Sequence, residues 1–145
     1  MFLFLICCLL CNTANTSIKA SVDRVDSGSF FVSFVIENNS SKTVYLPGID
    51  IYQGRIISYN WDLIIKKDGE SVYLNNPLFK IGKLHRLSIP PHSSHSFLIS
   101  IELSRLIYSF GKEVGDIHGN YQVQIVCKLS PRKGALISNV VQIEL

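Results

Sequence analysis

Two closely spaced histidines, His92 and His95, form an H-x-x-H pattern, a spacing that can bring two imidazoles to one metal ion. They lie in a Pro- and Ser-rich segment with no cysteine or carboxylate nearby to complete a tetrahedral ligand set. A zinc endopeptidase would carry H-E-x-x-H, and the glutamate is missing. We therefore expect solvated turn histidines and no bound metal.

The sequence supports a nucleophilic active site little better than it supports a metal site. Asp116 and His118 could join Ser104 or Ser109 in a triad, but any chain with four histidines and many serines offers such sets by chance. No G-x-S-x-G motif, Walker-type loop or dinucleotide-binding glycine pattern is present. We predict that the protein is not an enzyme and that it uses no cofactor.

The thiol of Cys127 is the remaining nucleophile outside the N-terminal segment. Strand-like alternation from Tyr121 to Cys127 places Cys127 on the apolar face, with two glutamines on the other. A cysteine in that position behaves as a small apolar side chain, whereas a reactive thiol needs a base and some exposure. We expect a buried free thiol and no internal disulfide in the mature protein.

The N-terminus has the features of an export signal. Residues 2–11 are ten unbroken apolar positions followed at once by small polar residues. A transmembrane helix needs about 20 such residues, whereas the core of a signal peptide needs about 7–15. No Lys or Arg precedes the run. Cleavage after Ala14 or after Ala20 is expected, although neither site is a clean A-x-A.

These features predict a signal peptide over 1–20, one domain over 21–145, and a secreted or periplasmic protein. The leader cysteines Cys7, Cys8 and Cys11 leave a lipoprotein alternative open, in which an acylated cysteine anchors the mature chain to the envelope. Leu10 argues against it, because a small residue usually precedes an acylated cysteine. If the chain is not a lipoprotein, the three cysteines serve only as apolar residues of a leader that is removed.

The charge balance is mild. The net charge is +3, and the 14 Lys and Arg residues are spread along the chain, unlike the concentrated basic face of nucleic-acid binders. The densest basic group is Lys80, Lys83, His85 and Arg86. It is expected to be a solvated loop, with a patch for an acidic partner as the alternative. We expect no nucleic-acid partner, and a membrane contact only if the chain is lipidated.

Period-two alternation recurs along the chain, and no segment keeps a helical period for three turns. The Asp68-Gly69 pair predicts a hairpin turn. We expect a loop over 89–95 and one or two turns of helix over 103–108. The inward positions of the predicted strands are Phe30, Val32, Phe34, Ile36, Trp61, Leu63, Ile65, Phe97, Ile99, Ile101, Leu103, Tyr121, Val123, Ile125, Val141, Ile143 and Leu145. Seven to eight short strands predict an all-β fold, an antiparallel sandwich or a barrel, and not a parallel sheet.

The segment 116–123 (DIHGNYQV) resembles the D-x-G-x-Y-x-C segment that leads into strand F of immunoglobulin domains, with one residue inserted. The resemblance implies an immunoglobulin-like fold and a tyrosine corner, in which the Tyr121 hydroxyl bonds to upstream backbone. Val123 stands where the family has its cysteine, and Trp61 is a candidate for the core tryptophan.

A longer pattern runs from about 28 to 130. It comprises a strand ending in NNSSKTV, then Trp61-Asp62-Leu63 with Asp68-Gly69, then LSIPPHSS before a strand, and finally Gly119-Asn120-Tyr121. This order is similar to that of bacterial immunoglobulin-like domains of the BsuPI-type proteinase-inhibitor family. It also resembles the N-terminal sandwich module of lysine-specific metallo-endopeptidases. The first resemblance implies inhibition of a proteinase, and the second carries no catalysis without H-E-x-x-H.

Three functions fit these observations: a non-catalytic binding module for another exported protein, a proteinase inhibitor, and an envelope-anchored structural protein. The connections 47–60 and 74–87 are long and hold aromatic, apolar and basic side chains that could contact a partner. The candidate contact residues are Tyr52, Tyr59, Leu78, Phe79, Lys80, Lys83 and Arg86. If these side chains instead complete the core, the connections lose this role.

Overall fold

The computed structural model of the protein describes residues 15–52, 55–75 and 85–145. The described elements are thirteen strands and one short 3-10 helix, Leu103–Arg105. The strands are β1 (Thr16–Val25), β2 (Ser29–Asn38), β3 (Val44–Pro47), β4 (Ile51–Tyr52), β5 (Arg55–Ile56), β6 (Trp61–Lys67), β7 (Glu70–Leu74), β8 (Arg86–Ile89), β9 (Ser93–Glu102), β10 (Leu106–Tyr108), β11 (Asn120–Lys128), β12 (Ala135–Ile137) and β13 (Val141–Glu144).

Two antiparallel sheets form the sandwich. One has the order β1-β2-β9, and the other has the order β10-β7-β6-β11, with β12 and β13 both pairing with the far side of β11. The all-β, immunoglobulin-like sandwich is confirmed. Together the sheets have nine strands, more than the seven to eight predicted. The sequence did not predict β1, whose first half was assigned to the leader, and it did not predict β10 and β12, which are three residues long and too short to show alternation.

The core lies between the inward faces of β2 and β9 on one side and β6 and β11 on the other. Every predicted inward position named above is buried except Leu63 and Leu145, which are partly buried and pack against the core. Phe97 stacks on Phe34 with ring centroids 5.5 Å apart and meets the edge of Trp61 at 5.9 Å. Each large side chain removed from water contributes about 1.5–3 kcal/mol, so these rings stabilise the contact between the sheets.

Cys127 is buried directly opposite Trp61 in the β6–β11 register, and its thiol is free, as predicted. Burial raises the pKa of the Cys127 thiol to about 12. The thiolate, which is the reactive form, is therefore suppressed at neutral pH.

The hairpin predicted at Asp68-Gly69 joins β6 to β7, with Lys67 paired to Glu70. Asp68 and Gly69 both have positive φ, 51° and 85°. Two consecutive residues with positive φ make the type I′ turn that fits the twist of paired strands.

Two local predictions need correction. The segment predicted as a loop over 89–95 is only a tight turn over 90–92, since β9 already begins at Ser93; His92 takes a φ of 53° there. The helical turn predicted over 103–108 is a three-residue 3-10 helix followed at once by β10. The chain uses this short bridge to pass from one sheet to the other.

Strand β1 begins at Thr16, five residues before the domain start predicted at 21. The predicted leader core over 2–11 lies outside the described residues. Within the described part of the chain, no helix has the length and apolar character that crossing a bilayer requires.

Both open sides of the sandwich are closed by hydrogen bonds that do not belong to the main ladders. The Asn139 amide pairs with both backbone groups of Ala20 in β1, at 2.7 and 3.0 Å. On the other sheet, the outer side of β10 pairs with the next segment, where the Val114 N–H donates to the Leu106 carbonyl. Such pairing leaves fewer free strand edges for unwanted association.

The buried side chain of Asn38 joins the end of β2 to two other segments. Its amide nitrogen lies 2.8–3.0 Å from the carbonyls of Lys42, Ile89 and Pro90. Its amide oxygen accepts from the backbone N–H and the hydroxyl of Ser40. One side chain thus lies within hydrogen-bond distance of five polar groups in a place where water has little access.

The substitution N38A should lower the free energy of unfolding by about 3 kcal/mol, because it leaves several buried polar groups without partners. The matched control is N39A at the exposed neighbouring position, with an expected change below about 0.5 kcal/mol. Urea unfolding followed by Trp61 fluorescence measures both. Equal stabilities for the two variants would contradict this role for Asn38.

Candidate partner-binding site

One end of the sandwich carries two short ribbons outside the main sheets: β3 paired with β8, and β4 paired with β5. The sequence predicted connections over 47–60 and 74–87, whereas the structure places β4, β5 and the start of β8 within them. The inward side chains Val44, Leu46 and Ile89 are buried in the common core. Their packing fixes the β3–β8 ribbon on the sandwich.

Hydrogen bonds between the ribbons and the sandwich fix their position further. The Trp61 indole N–H donates to the Pro47 carbonyl at 3.0 Å, and the Ser58 hydroxyl donates to the Gly48 carbonyl at 2.8 Å. The Gly48 N–H donates to the His85 carbonyl at 2.8 Å. A Cβ on Gly48 would overlap the His85 imidazole, so a larger residue there would have to displace that ring.

The outer surface of this end bears exposed tyrosines. Tyr45 is 63% exposed, Tyr52 52% and Tyr59 63%. Arg86 is also exposed. In the β3–β8 register Tyr45 is opposite Ser88 and Pro47 is opposite Arg86, which places Tyr45 and Arg86 diagonally on the same outward face. Tyr52 lies on the β4–β5 ribbon, and Tyr59 lies in the turn before β6. We call Tyr45, Tyr52, Tyr59 and Arg86 together the ribbon surface.

Three of the seven candidate contact residues, Tyr52, Tyr59 and Arg86, are exposed at this end and belong to the ribbon surface. Leu78, Phe79, Lys80 and Lys83 lie outside the described residues. Tyr45 was missed, although alternation with Val44 and Leu46 gives the signal that it points outward. The alternative in which Tyr52 and Tyr59 complete the core is wrong.

The opposite end of the sandwich holds the predicted tyrosine corner. The Tyr121 hydroxyl donates to the Ile117 carbonyl at 2.7 Å, and the Tyr121 ring contacts Phe30 with centroids 5.5 Å apart. Burial raises the pKa of Tyr121 to about 12, and the nearby Asp68 carboxylate adds to the shift. The phenol is therefore a structural donor at this corner.

Asp68 connects the β6–β7 hairpin to β11. Its carboxylate accepts from the Asn120 N–H at 2.9 Å and from the Lys67 ammonium at 3.1 Å. The hydrogen bond from the Asn120 N–H lowers the pKa of the Asp68 carboxyl below its ordinary value of 3.8, and the Lys67 ammonium lowers it further. The Lys67 side chain is only 7% exposed, so Asp68 supplies the counter-charge of a nearly buried cation. A Cβ on Gly119 would approach this carboxylate to 2.7 Å.

An open, mainly polar concavity lies beside this corner, with Asp68, Gln122, Gln142 and Glu144 among its lining residues. Within the described part of the chain, no three His, Cys, Asp or Glu side chains are placed to share a metal ion. The Asp116 carboxylate accepts from the His118 backbone N–H at 3.0 Å. Asp116 therefore closes its own turn.

The comparisons with known proteins give no family. No protein-family model and no curated protein matches the chain. A structure of Bacteroides uniformis beta-glucuronidase 2 is similar over 89% of this chain and 13% of its own, with 10% identity and a TM-score of 0.43. A protein from Archaeoglobus fulgidus is similar over 89% of this chain and 92% of its own, with 11% identity and a TM-score of 0.40. No functional statement about this chain follows from either.

The substitution D68N should reduce stability near neutral pH and make the chain less sensitive to acid. Asparagine tolerates the left-handed turn but cannot pair with the Lys67 charge. Because the pKa of Asp68 is lowered by folding, its contribution is present above pH 3.8 and disappears as the pH falls through the folded-state value.

The stability difference between wild type and D68N should therefore shrink between about pH 6 and about pH 3, measured by urea unfolding across that range. The matched control is E70Q at the exposed Glu70 of the same hairpin, for which no such convergence is expected. A difference in free energy of unfolding between wild type and D68N that stays constant with pH would count against the ion-pair role of Asp68.

Proposed function

We propose that the protein is a non-catalytic exported module that binds another exported protein through the ribbon surface. The observation that carries this proposal is the exposure of three tyrosines at the ribbon end, Tyr45 and Tyr52 on ribbons that pack against the core and Tyr59 in the turn before β6. Tyrosine is enriched in protein interfaces because it offers a large contact area with one polar group and few rotatable bonds.

The way these side chains are held supports the same role. Tyr45 and Arg86 project from paired strands whose other faces are buried, so their positions are set before a partner arrives. Contact residues that are already ordered lose less entropy on binding. Arg86 adds a planar cation that can pair with a carboxylate of the partner.

The chemistry of the described residues favours binding over catalysis. The Cys127 thiol is buried with a raised pKa, and the Asp116 carboxylate is engaged in its own turn. The Tyr121 hydroxyl is engaged by the Ile117 carbonyl. Each of these groups is explained by a structural role.

Export is proposed on the apolar run 2–11, and the free, buried Cys127 neither supports nor opposes it. A fold that needs no disulfide is compatible with a secreted or periplasmic location. Acylation of Cys11 would make the same module an envelope-anchored protein, which is the structural alternative. Intact mass of the mature protein separates the two, since acylation adds a lipid mass.

Proteinase inhibition is the second candidate, and it rests on the resemblance to BsuPI-type domains. An inhibitor would present an extended segment to a protease cleft. The Pro90-Pro91 turn does not suit this, because the Pro90 carbonyl accepts from Asn38 and the Pro91 carbonyl accepts from the Ser93 hydroxyl. Titration against serine, cysteine and metalloproteases tests it, and no inhibition at micromolar concentration would remove it.

The double substitution Y52A/Y59A should weaken partner binding at least about tenfold, because truncating aromatic residues at the centre of an interface costs about 1–2 kcal/mol or more. The wild-type domain is first used to capture and identify a partner from its own extracytoplasmic proteome. Affinities of the variants for that purified partner are then measured by calorimetry.

The matched control is Y73A, which removes an equally exposed tyrosine from β7, outside the ribbon surface. It should bind as wild type does, and all three proteins should unfold at similar temperatures. Equal loss of affinity in Y73A and Y52A/Y59A would place the contact elsewhere, and unchanged affinity in Y52A/Y59A would reject the ribbon surface.

A further inference from the structure

The first half of β1 belongs to the folded core, although a cut after Ala20 would remove it. Thr16, Ile18 and Ala20 are buried, whereas every residue from 21 to 25 is exposed. The core contribution of β1 is therefore concentrated in its first five residues. These residues pair with the second half of β2, from Phe34 to Asn38.

Hydrogen bonds from distant segments depend on the same residues. The Asn15 carbonyl accepts from the Asn39 N–H at 2.8 Å. The Asn139 amide accepts from the Ala20 N–H and donates to the Ala20 carbonyl. A chain starting at Ser21 would lose the Asn15 and Ala20 partners and leave this part of β2 as an open edge.

We propose that an endopeptidase of the export pathway cuts the Ala14–Asn15 bond, so that the mature chain begins at Asn15. Water is the co-reactant: the C–N bond breaks, Ala14 keeps the new carboxylate, and Asn15 keeps the new α-amino group. Ala14 supplies the small residue that such peptidases need before the cut. Asn15 is exposed and directly precedes β1, so the cut leaves the whole strand on the mature protein.

The test expresses the full chain, leader included, in a host that exports proteins, and reads the N-terminus of the extracytoplasmic product by mass spectrometry. A mature chain beginning at Asn15 is expected. A chain beginning at Ser21, a chain beginning at an acylated Cys11, or a chain that keeps Met1 would each overturn the proposal.

A matched pair of variants, A14L and A20L, places a large residue before each of the two candidate cuts. Loss of the mature product is expected in A14L, and the wild-type cut is expected in A20L. Short pulse labelling reads processing before folding, so a poorly folded A20L product still reports its N-terminus. The reverse pattern would place the cut after Ala20. The inference rests on the proposed export of the chain, so retention of Met1 would count against export itself. A cut at another bond would overturn only the cleavage site and leave the proposed binding function untouched.

Discussion

The packing of two sheets around the Trp61, Phe97 and Phe34 rings is the interaction on which the rest of the structure depends. With Cys127 free, this core contact takes the place that an inter-sheet disulfide has in antibody domains. Cys127 itself fills space beside Trp61 as an apolar side chain. The sandwich therefore depends on close packing and on satisfying each polar group at its margins.

Several polar side chains that the sequence offers as candidates for chemistry form hydrogen bonds at the margins of the sandwich instead. Asn38, Asp68 and Tyr121 each satisfy backbone groups where a strand ends or turns. Asn139 does the same where β1 approaches the end of the other sheet. The tyrosines of the ribbon surface are exposed on or beside ribbons that pack against the core, and this is the surface that we propose for a partner.

Sequence periodicity was sufficient for elements whose signal is local. It predicted the inward faces of β2, β9 and β11, the Asp68-Gly69 turn and, through the resemblance, the corner at Tyr121. It could not predict the pairing of β3 with β8 or the contact of Asn139 with Ala20, because these join residues about 40 and 119 positions apart. It also missed Tyr45, whose strand is only four residues long.

Native-state amide hydrogen exchange tests the central claim most directly, namely that a core closed by β1 holds the whole sandwich together. The Ala20 N–H, bonded to Asn139, should exchange only through global unfolding, at the same opening free energy as the buried Ile125 N–H. Exchange of Ala20 at a rate close to that of an unfolded chain, with Ile125 still protected, would show that β1 is not part of the cooperative core.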